Sequence, residues 1–503
     1  MPQIPGHHPT VTLPAGSHAA ATWSIPTDFG GMTSALLRRS RAFAQEARVP
    51  VRILTFDPAL DVEGARAELE ERGELAPGIT LHNVWADLRE LPDDVVAPPP
   101  GSRPQELPVA AAGERMRVED GEGGTGTGRH LHFRGDGTLA AVDERSGSGR
   151  RITLYSRDGR PGRRWSSVWA MYRYWIDAVL PEKPGYVIVD SKAMVKFFAS
   201  LKRNNVYTTH LVHGAHLSAN ATDAHGPLTA SRTPVIEHLR DFDAVVFLTE
   251  GQRRDVVDRV GELDNAFVVP NSTDLPEGPV PARTDVLRGA MLASLNGRKR
   301  VDHAIDALGR AARHSGLALT LDVFGDGPDR VALEERAATV PGATLHGFVR
   351  GAADRLADAS FLLLTSRAEG LPLVFAEAMS RGCVPIAYDI RYGPADIITD
   401  GVDGFLVPDG DVAALAAAIE RFVTLDDDAV RRMREAAVAT AQGYSDAAVV
   451  ARWADVLNDA TRRRPQPTQA AAPRPAAVPV PAAKADRPGA LRRLAGMLRR
   501  APR

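Results

Sequence analysis

Phe361-Leu-Leu-Leu-Thr365 runs directly into Ser366-Arg-Ala-Glu-Gly-Leu-Pro-Leu-Val-Phe-Ala-Glu-Ala-Met-Ser-Arg-Gly382. The apolar run predicts a buried parallel strand, and Leu373 to Ser380 predicts the helix that follows it. Glu369 then stands on the loop and Glu377 inside the helix, spaced E-x7-E around a strand-to-helix junction. Gly370 allows the backbone to approach a ligand closely, and the start of the helix offers unpaired N–H groups to an anion. A phosphate and a sugar can both be met at such a junction, which suits an enzyme that holds a sugar nucleotide.

Working outward, the same half of the chain carries Val323-Phe-Gly-Asp-Gly-Pro328, Gly347-Phe348, Gly401-Val-Asp-Gly-Phe-Leu-Val-Pro408 and Asp389-Ile-Arg-Tyr-Gly-Pro-Ala-Asp-Ile-Ile-Thr-Asp400. With the two glutamates these motifs resemble the retaining glycosyltransferases of family four, over roughly residues 20 to 460. The Asp389 to Asp400 stretch is similar to the bacterial branch that includes wall teichoic acid α-glycosyltransferases and the glycosyltransferases of serine-rich adhesins. The resemblance implies the α/β GT-B fold, with two Rossmann-like domains facing a cleft.

Composition sets the outer bounds. A chain of 503 residues exceeds what one core usually supports, so two or three domains are expected. The 61 basic and 63 acidic side chains give a formal charge of -2, which excludes a chain built to coat nucleic acid. One cysteine, Cys383, excludes an internal disulfide and a multi-cysteine metal site, and suits a reducing compartment. Met1 to His18 has no positive n-region or apolar h-region, and no stretch offers eighteen continuous apolar residues, so a cytoplasmic, non-spanning protein is expected.

Along the chain, Trp23 to Thr33 leads into an Arg-rich helical pattern, Ser34 to Glu46, and the strand Val51 to Phe56. Gly30-Gly31, just before that helix, can turn backbone N–H groups toward a diphosphate. Short runs with turn punctuation follow, at Arg129 to Phe133, Thr138 to Asp143 and Arg151 to Tyr155, and they predict an antiparallel β-meander. Strands at Tyr186 to Asp190, Tyr207 to Val212 and Ala244 to Thr249 resume the α/β rhythm. The expected organisation is an N-terminal acceptor domain (20–75 and 176–272), an inserted β-rich region (76–175), a nucleotide-sugar domain (285–440) and a closing helix (441–461). The segment 462–503 is Pro/Ala-rich and ends in the basic amphipathic stretch 491–500, which suits contact with an anionic membrane face.

The resemblance also implies roles. Lys299 aligns with the lysine that contacts the diphosphate; the family's arginine five positions earlier is replaced by Ser294, leaving Arg298 or Arg300 to substitute. Glu369 is expected to face the transferred sugar, Glu377 to accept from the ribose, and His213 to match the active-site histidine. Gly30, Gly31, Gly325, Gly347, Gly370, Leu371 and Pro372 are expected to line the donor site. The histidines at 210, 213 and 216 lie on a strand that becomes a loop, where they do not converge on a metal as they would on one helix face. No metal cofactor is expected.

The expected activity is transfer of glucose or N-acetylglucosamine from UDP-glucose or UDP-N-acetylglucosamine to a polyol-phosphate polymer such as teichoic acid. The alternatives are O-glycosylation of Ser or Thr in a protein acceptor, and a non-catalytic glycosyltransferase-like partner subunit. A homo-oligomer formed through the β insertion is compatible with either acceptor. A basic groove on the insertion would favour the anionic polymer, and the Arg150-Arg151 and Arg163-Arg164 pairs lean that way; a peptide-binding sheet edge would favour protein.

Overall fold

The computed structural model describes residues 11–464 except 28, 121–127, 148, 202–204, 219–220, 222 and 277–285. The stretch 491–500 therefore lies outside the described residues. The chain divides into two compact units: 14–209 with 241–243 and 457–464, and 11–13 with 210–240 and 244–456. Among the described residues no helix is long and apolar enough to cross a membrane.

The strands in chain order are β1 (Ser17–Ala21), β2 (Val51–Thr55), β3 (Ile79–Asn83), β4 (Met116–Asp120), β5 (Gly128–Phe133), β6 (Leu139–Ser146), β7 (Gly149–Tyr155), β8 (Pro161–Trp165), β9 (Gly185–Val189), β10 (Val206–Val212), β11 (Ala244–Phe247) and β12 (Ala266–Val268). They continue with β13 (Arg288–Leu292), β14 (Thr320–Phe324), β15 (Ala343–Gly347), β16 (Phe361–Leu364), β17 (Val384–Asp389) and β18 (Phe405–Pro408). One seven-stranded sheet has the order β12-β11-β10-β9-β1-β2-β3, and a six-stranded parallel sheet has the order β15-β14-β13-β16-β17-β18.

Strand β1 was not apparent in the sequence. Its residues, Ser-His-Ala-Ala-Ala, are all buried, and it pairs in parallel with both β2 and β9. Small side chains serve a central strand covered on both faces, although alanine has low intrinsic strand preference. The expected insertion began at residue 76, yet β3 pairs in parallel with β2 and completes the large sheet. The helix Gly31–Glu46 is tied to the end of β9 by Arg39, whose Nη1 and Nη2 donate to the two Asp190 carboxylate oxygens at 2.9 and 2.7 Å. Both side chains are nearly free of solvent, so the pair is a buried one and loss of either partner is expected to destabilise the unit.

Strands β4 to β8 form the expected antiparallel meander, each paired with the next. It has its own small core of Leu131, Phe133, Leu139 and Val142. Its Asp-Gly turns put Gly137 and Gly159 at φ +83° and +81°, where a side chain would be strained.

The helix Asp446–Arg463 ends on the first sheet. The Tyr207 hydroxyl donates to the Arg464 carbonyl at 2.8 Å, and Arg463 Nη2 donates to the Asp243 carbonyl at 2.7 Å. Tyr186 and Thr461 join hydroxyls at 3.1 Å.

Candidate active site

The second sheet's core leaves β16 and its continuation fully buried up to Ser366; the backbone then turns out through Arg367 to Gly370 and enters the helix Leu373–Met379 at Pro372. The loop after β13 is stitched to this turn. Arg367 N–H donates to the Arg298 carbonyl at 2.8 Å, and the Thr365 hydroxyl reaches the Lys299 and Arg300 carbonyls at 2.9 and 2.8 Å. These bonds bring Lys299 Nζ to 2.5 Å from Glu369 Oε1 and Arg298 Nη1 to 3.3 Å from the same oxygen. Arg298 also donates to the Ala368 carbonyl at 3.0 Å.

Arg300 behaves differently. Its backbone is left-handed (φ 48°, ψ 48°) and the residue is buried. Nε donates to the Thr365 carbonyl and Nη2 to the Ser366 carbonyl, each at 2.7 Å, while Nη2 also pairs with Asp409. The guanidinium lies 4.8 Å over the Tyr388 ring. Arg300 thus braces the loop from beneath, while the half-exposed Arg298 faces Glu369. Arg298→Ala is expected to reduce turnover about tenfold through one lost charge contact, with an unchanged melting temperature. Arg300→Met leaves two buried carbonyls without their donors and is expected to cost about 1–3 kcal/mol of stability. Thermal melts and initial rates on both variants check this division; equal melting temperatures would overturn it.

His213 follows β10 and is buried, 7% exposed. Its neighbour Gly214, at φ +71°, lies so close to Gly370 that a Cβ on Gly370 would sit 2.8 Å from Gly214 Cα and 2.9 Å from its nitrogen. Gln252, on the helix Glu250–Val260 capped by Thr249, donates to the Gly214 carbonyl at 2.9 Å. His216 stacks on Tyr392 with ring centroids 5.8 Å apart, and burial pushes its pKa down to about 4. Tyr392 in turn donates through its hydroxyl to Asp255 at 2.7 Å and through its N–H to the Glu369 carbonyl at 3.3 Å.

This link was missed in the sequence. Tyr392 belongs to a motif that marked the family resemblance, but nothing in that motif names Asp255 or His216 as partners. The three histidines take separate surroundings, with His210 in β10, His213 at its end and His216 on Tyr392. Among the described residues no group of three or more His, Cys, Asp or Glu side chains is placed to hold a metal ion.

The remaining residues are spread more widely. Glu377 is half-buried in its helix, and its carbonyl accepts from Ser380 Oγ and Arg381 Nη1 at 2.9 and 3.0 Å. Leu371 packs on the second sheet's core and Pro372 is buried. Gly325 N–H donates to the Gly347 carbonyl at 2.8 Å, and a Cβ on Gly325 or Gly327 would strike the Ala293 or Leu295 carbonyl. These two glycines let the loops after β13 and β14 run side by side. Gly30 and Gly31 open the helix Gly31–Glu46, and a Cβ on either meets nothing within 4 Å, so the chain's own packing does not require glycine there.

Residues 288–424 match the family model described as glycosyl transferases group 1. The poly(glycerol-phosphate) alpha-glucosyltransferase of Bacillus subtilis is 26% identical over 294 residues, covering 57% of this chain and 43% of that protein. The exopolysaccharide phosphotransferase SCO2592 of Streptomyces coelicolor is 32% identical over 297 residues, covering 57% of this chain and 30% of that one. The chain therefore spans less than half the length of either relative. Among solved structures, a mutant of Staphylococcus aureus TarM in complex with fondaparinux, alpha-GlcNAc-glycerol and UDP superposes with a TM-score of 0.64 at 18% identity, over 88% of this chain and 100% of that one. The chain has the GT-B glycosyltransferase fold, and its residues 288–424 form a group 1 glycosyl transferase domain.

Proposed function

We propose that the protein is a retaining hexosyltransferase that moves glucose or N-acetylglucosamine from a UDP-sugar to a polyol-phosphate polymer. The observation that carries this reading is the convergence of Lys299 and Arg298 on Glu369, beside the contact of Gly370 with the His213 loop. In transfer, the bond from the anomeric carbon to the β-phosphate oxygen breaks, and the acceptor oxygen bonds to that carbon on the same face. The acceptor proton passes to the departing β-phosphate. Two cations fit the charge that develops on the diphosphate, and a carboxylate fits the oxocarbenium character of the sugar.

In this reading Lys299 and Arg298 hold the diphosphate, Glu369 faces the sugar, Glu377 accepts from the ribose, and His213 borders the transferred sugar. Gly30, Gly31, Gly325, Gly347, Gly370, Leu371 and Pro372 line the donor site. The residues 20–75 with 176–272 serve the acceptor and 285–440 the nucleotide sugar, and no metal ion takes part. Peripheral membrane contact through 491–500 and assembly through the β insertion belong to the same proposal.

An anionic polymer is supported over a protein acceptor by an open groove of about 860 Å³ on the meander, lined by Arg129, Arg145, Arg150, Arg151 and Arg164 against only Glu119 and Glu144. Phosphate chains bind such cation-rich tracks.

The test is UDP release from a panel of UDP-sugars, in EDTA, with and without poly(glycerol phosphate), poly(ribitol phosphate) or a Ser-rich peptide. Stimulation by one polymer is the expected result. Stimulation by the peptide alone would move the acceptor to protein, and absence of both release and donor binding would favour a non-catalytic partner subunit.

A further inference from the structure

The parallel strands β1, β2 and β9 end at one edge of the first sheet, and the residues that leave those ends line a common cavity of about 310 Å³: Trp23 after β1, Pro58 after β2, and Ala193 with Met194 after β9. In open parallel sheets this carboxyl edge is where ligands bind. The cavity's other walls include Trp85, Trp169, Tyr172 and Phe197, together with Lys196 and the meander's Arg145 and Arg150.

Trp23 and Trp169 are 39% and 38% exposed, so much of each ring lies outside the core. Exposed tryptophan in a concave site is suited to stacking against the C–H faces of a sugar or polyol, because it offers a broad rigid surface with little loss of side-chain freedom. The charges are arranged for phosphate. Arg150 is held by Asp143 through two 2.7 Å bonds, whereas Arg145 and Lys196 are exposed and have no ion-pair partner among the described residues.

The shape narrows the ligand further. Arg145 and Arg150 line both this cavity and the 860 Å³ groove of the meander, so the two adjoin at those side chains. A compact ligand would need only one of them. A chain that alternates phosphate with polyol fits an aromatic pocket followed by a cationic track.

Resting on the polymer reading above, we infer that this pocket is an acceptor subsite: it holds one polyol or glycosylated unit against Trp23 and Trp169, with an adjoining phosphate at Arg145 and Lys196, and the rest of the polymer leaves along the arginine groove. The pocket fixes which unit of the chain is presented, and the groove supplies affinity that grows with chain length.

The experiment uses the full chain with Trp169→Ala, Lys196→Glu and Arg145→Glu, and measures KM for poly(glycerol phosphate) and for UDP-sugar separately at low and high salt. The expected result is at least a tenfold rise in polymer KM for each variant, with the rise shrinking at high salt for the two charge variants, and an unchanged UDP-sugar KM. The residues are surface-exposed, and a melting curve on each variant verifies the fold. An unchanged polymer KM in Trp169→Ala and Lys196→Glu overturns the subsite while leaving the polymer reading intact. A rise in UDP-sugar KM instead assigns the pocket to the donor and also overturns it. If the unaltered protein glycosylates no polyol phosphate but does glycosylate the peptide, both the subsite and the polymer reading fall.

Discussion

Glu369→Gln and Lys299→Ala are each expected to lower kcat/KM for sugar transfer by about a hundredfold or more, with the folded state retained. A hundredfold loss corresponds to about 2.7 kcal/mol of transition-state stabilisation. Glutamine keeps the shape of Glu369 but carries no charge to offset the positive character that develops on the sugar. Alanine at 299 removes the ammonium that now sits 2.5 Å from Glu369 Oε1. Both side chains are largely shielded, 13% and 17% exposed, which strengthens the electrostatic effect of either change. The fold is expected to tolerate Lys299→Ala because Arg298 remains 3.3 Å from the same oxygen. Initial rates with a UDP-sugar, set beside thermal melts, decide the matter. Near-normal turnover in either variant would remove that residue from the site.

Gly370→Ala is expected to be comparably damaging for a steric reason. The new Cβ would meet backbone atoms of Gly214 at 2.8 and 2.9 Å, and neither side can yield by rotating a side chain. The Glu369 loop and the His213 loop must therefore separate. A misplacement near 1 Å at reacting groups can cost on the order of a hundredfold in rate. The loss should fall mainly on kcat, and a near-normal kcat would show that the approach of the two loops is not needed for turnover.

Much of the fold was legible because its cues are local. The Phe361 to Leu364 run and the helix Leu373–Met379 differ from the expected bounds by one residue at their ends, since continuous apolar character and helical periodicity are carried by neighbouring residues. The meander was legible in its middle strands through the Asp-Gly turns, while β4 and β8, flanked by polar sequence, were not. Strand β1 escaped because its alanines take strand conformation only through pairing on both sides.

By itself, the sequence determined the alternation of strands and helices and the insertion of a turn-rich antiparallel region, because these rest on periodicity and turn residues within short windows, while Glu369, Glu377, Lys299 and His213 came forward as the residues to weigh through motifs that resemble the family's. Only the tertiary structure separated the environments of Arg298 and Arg300, which stand two positions apart: one reaches Glu369, and the other is turned inward to the Thr365 and Ser366 carbonyls. It also decided that Gly370 lies against Gly214, 156 positions earlier, and that aromatic and cationic residues from the segments after β1 and β9 and from the meander share one cavity. Such contacts depend on how distant segments pack, and no local pattern of residues encodes that distance.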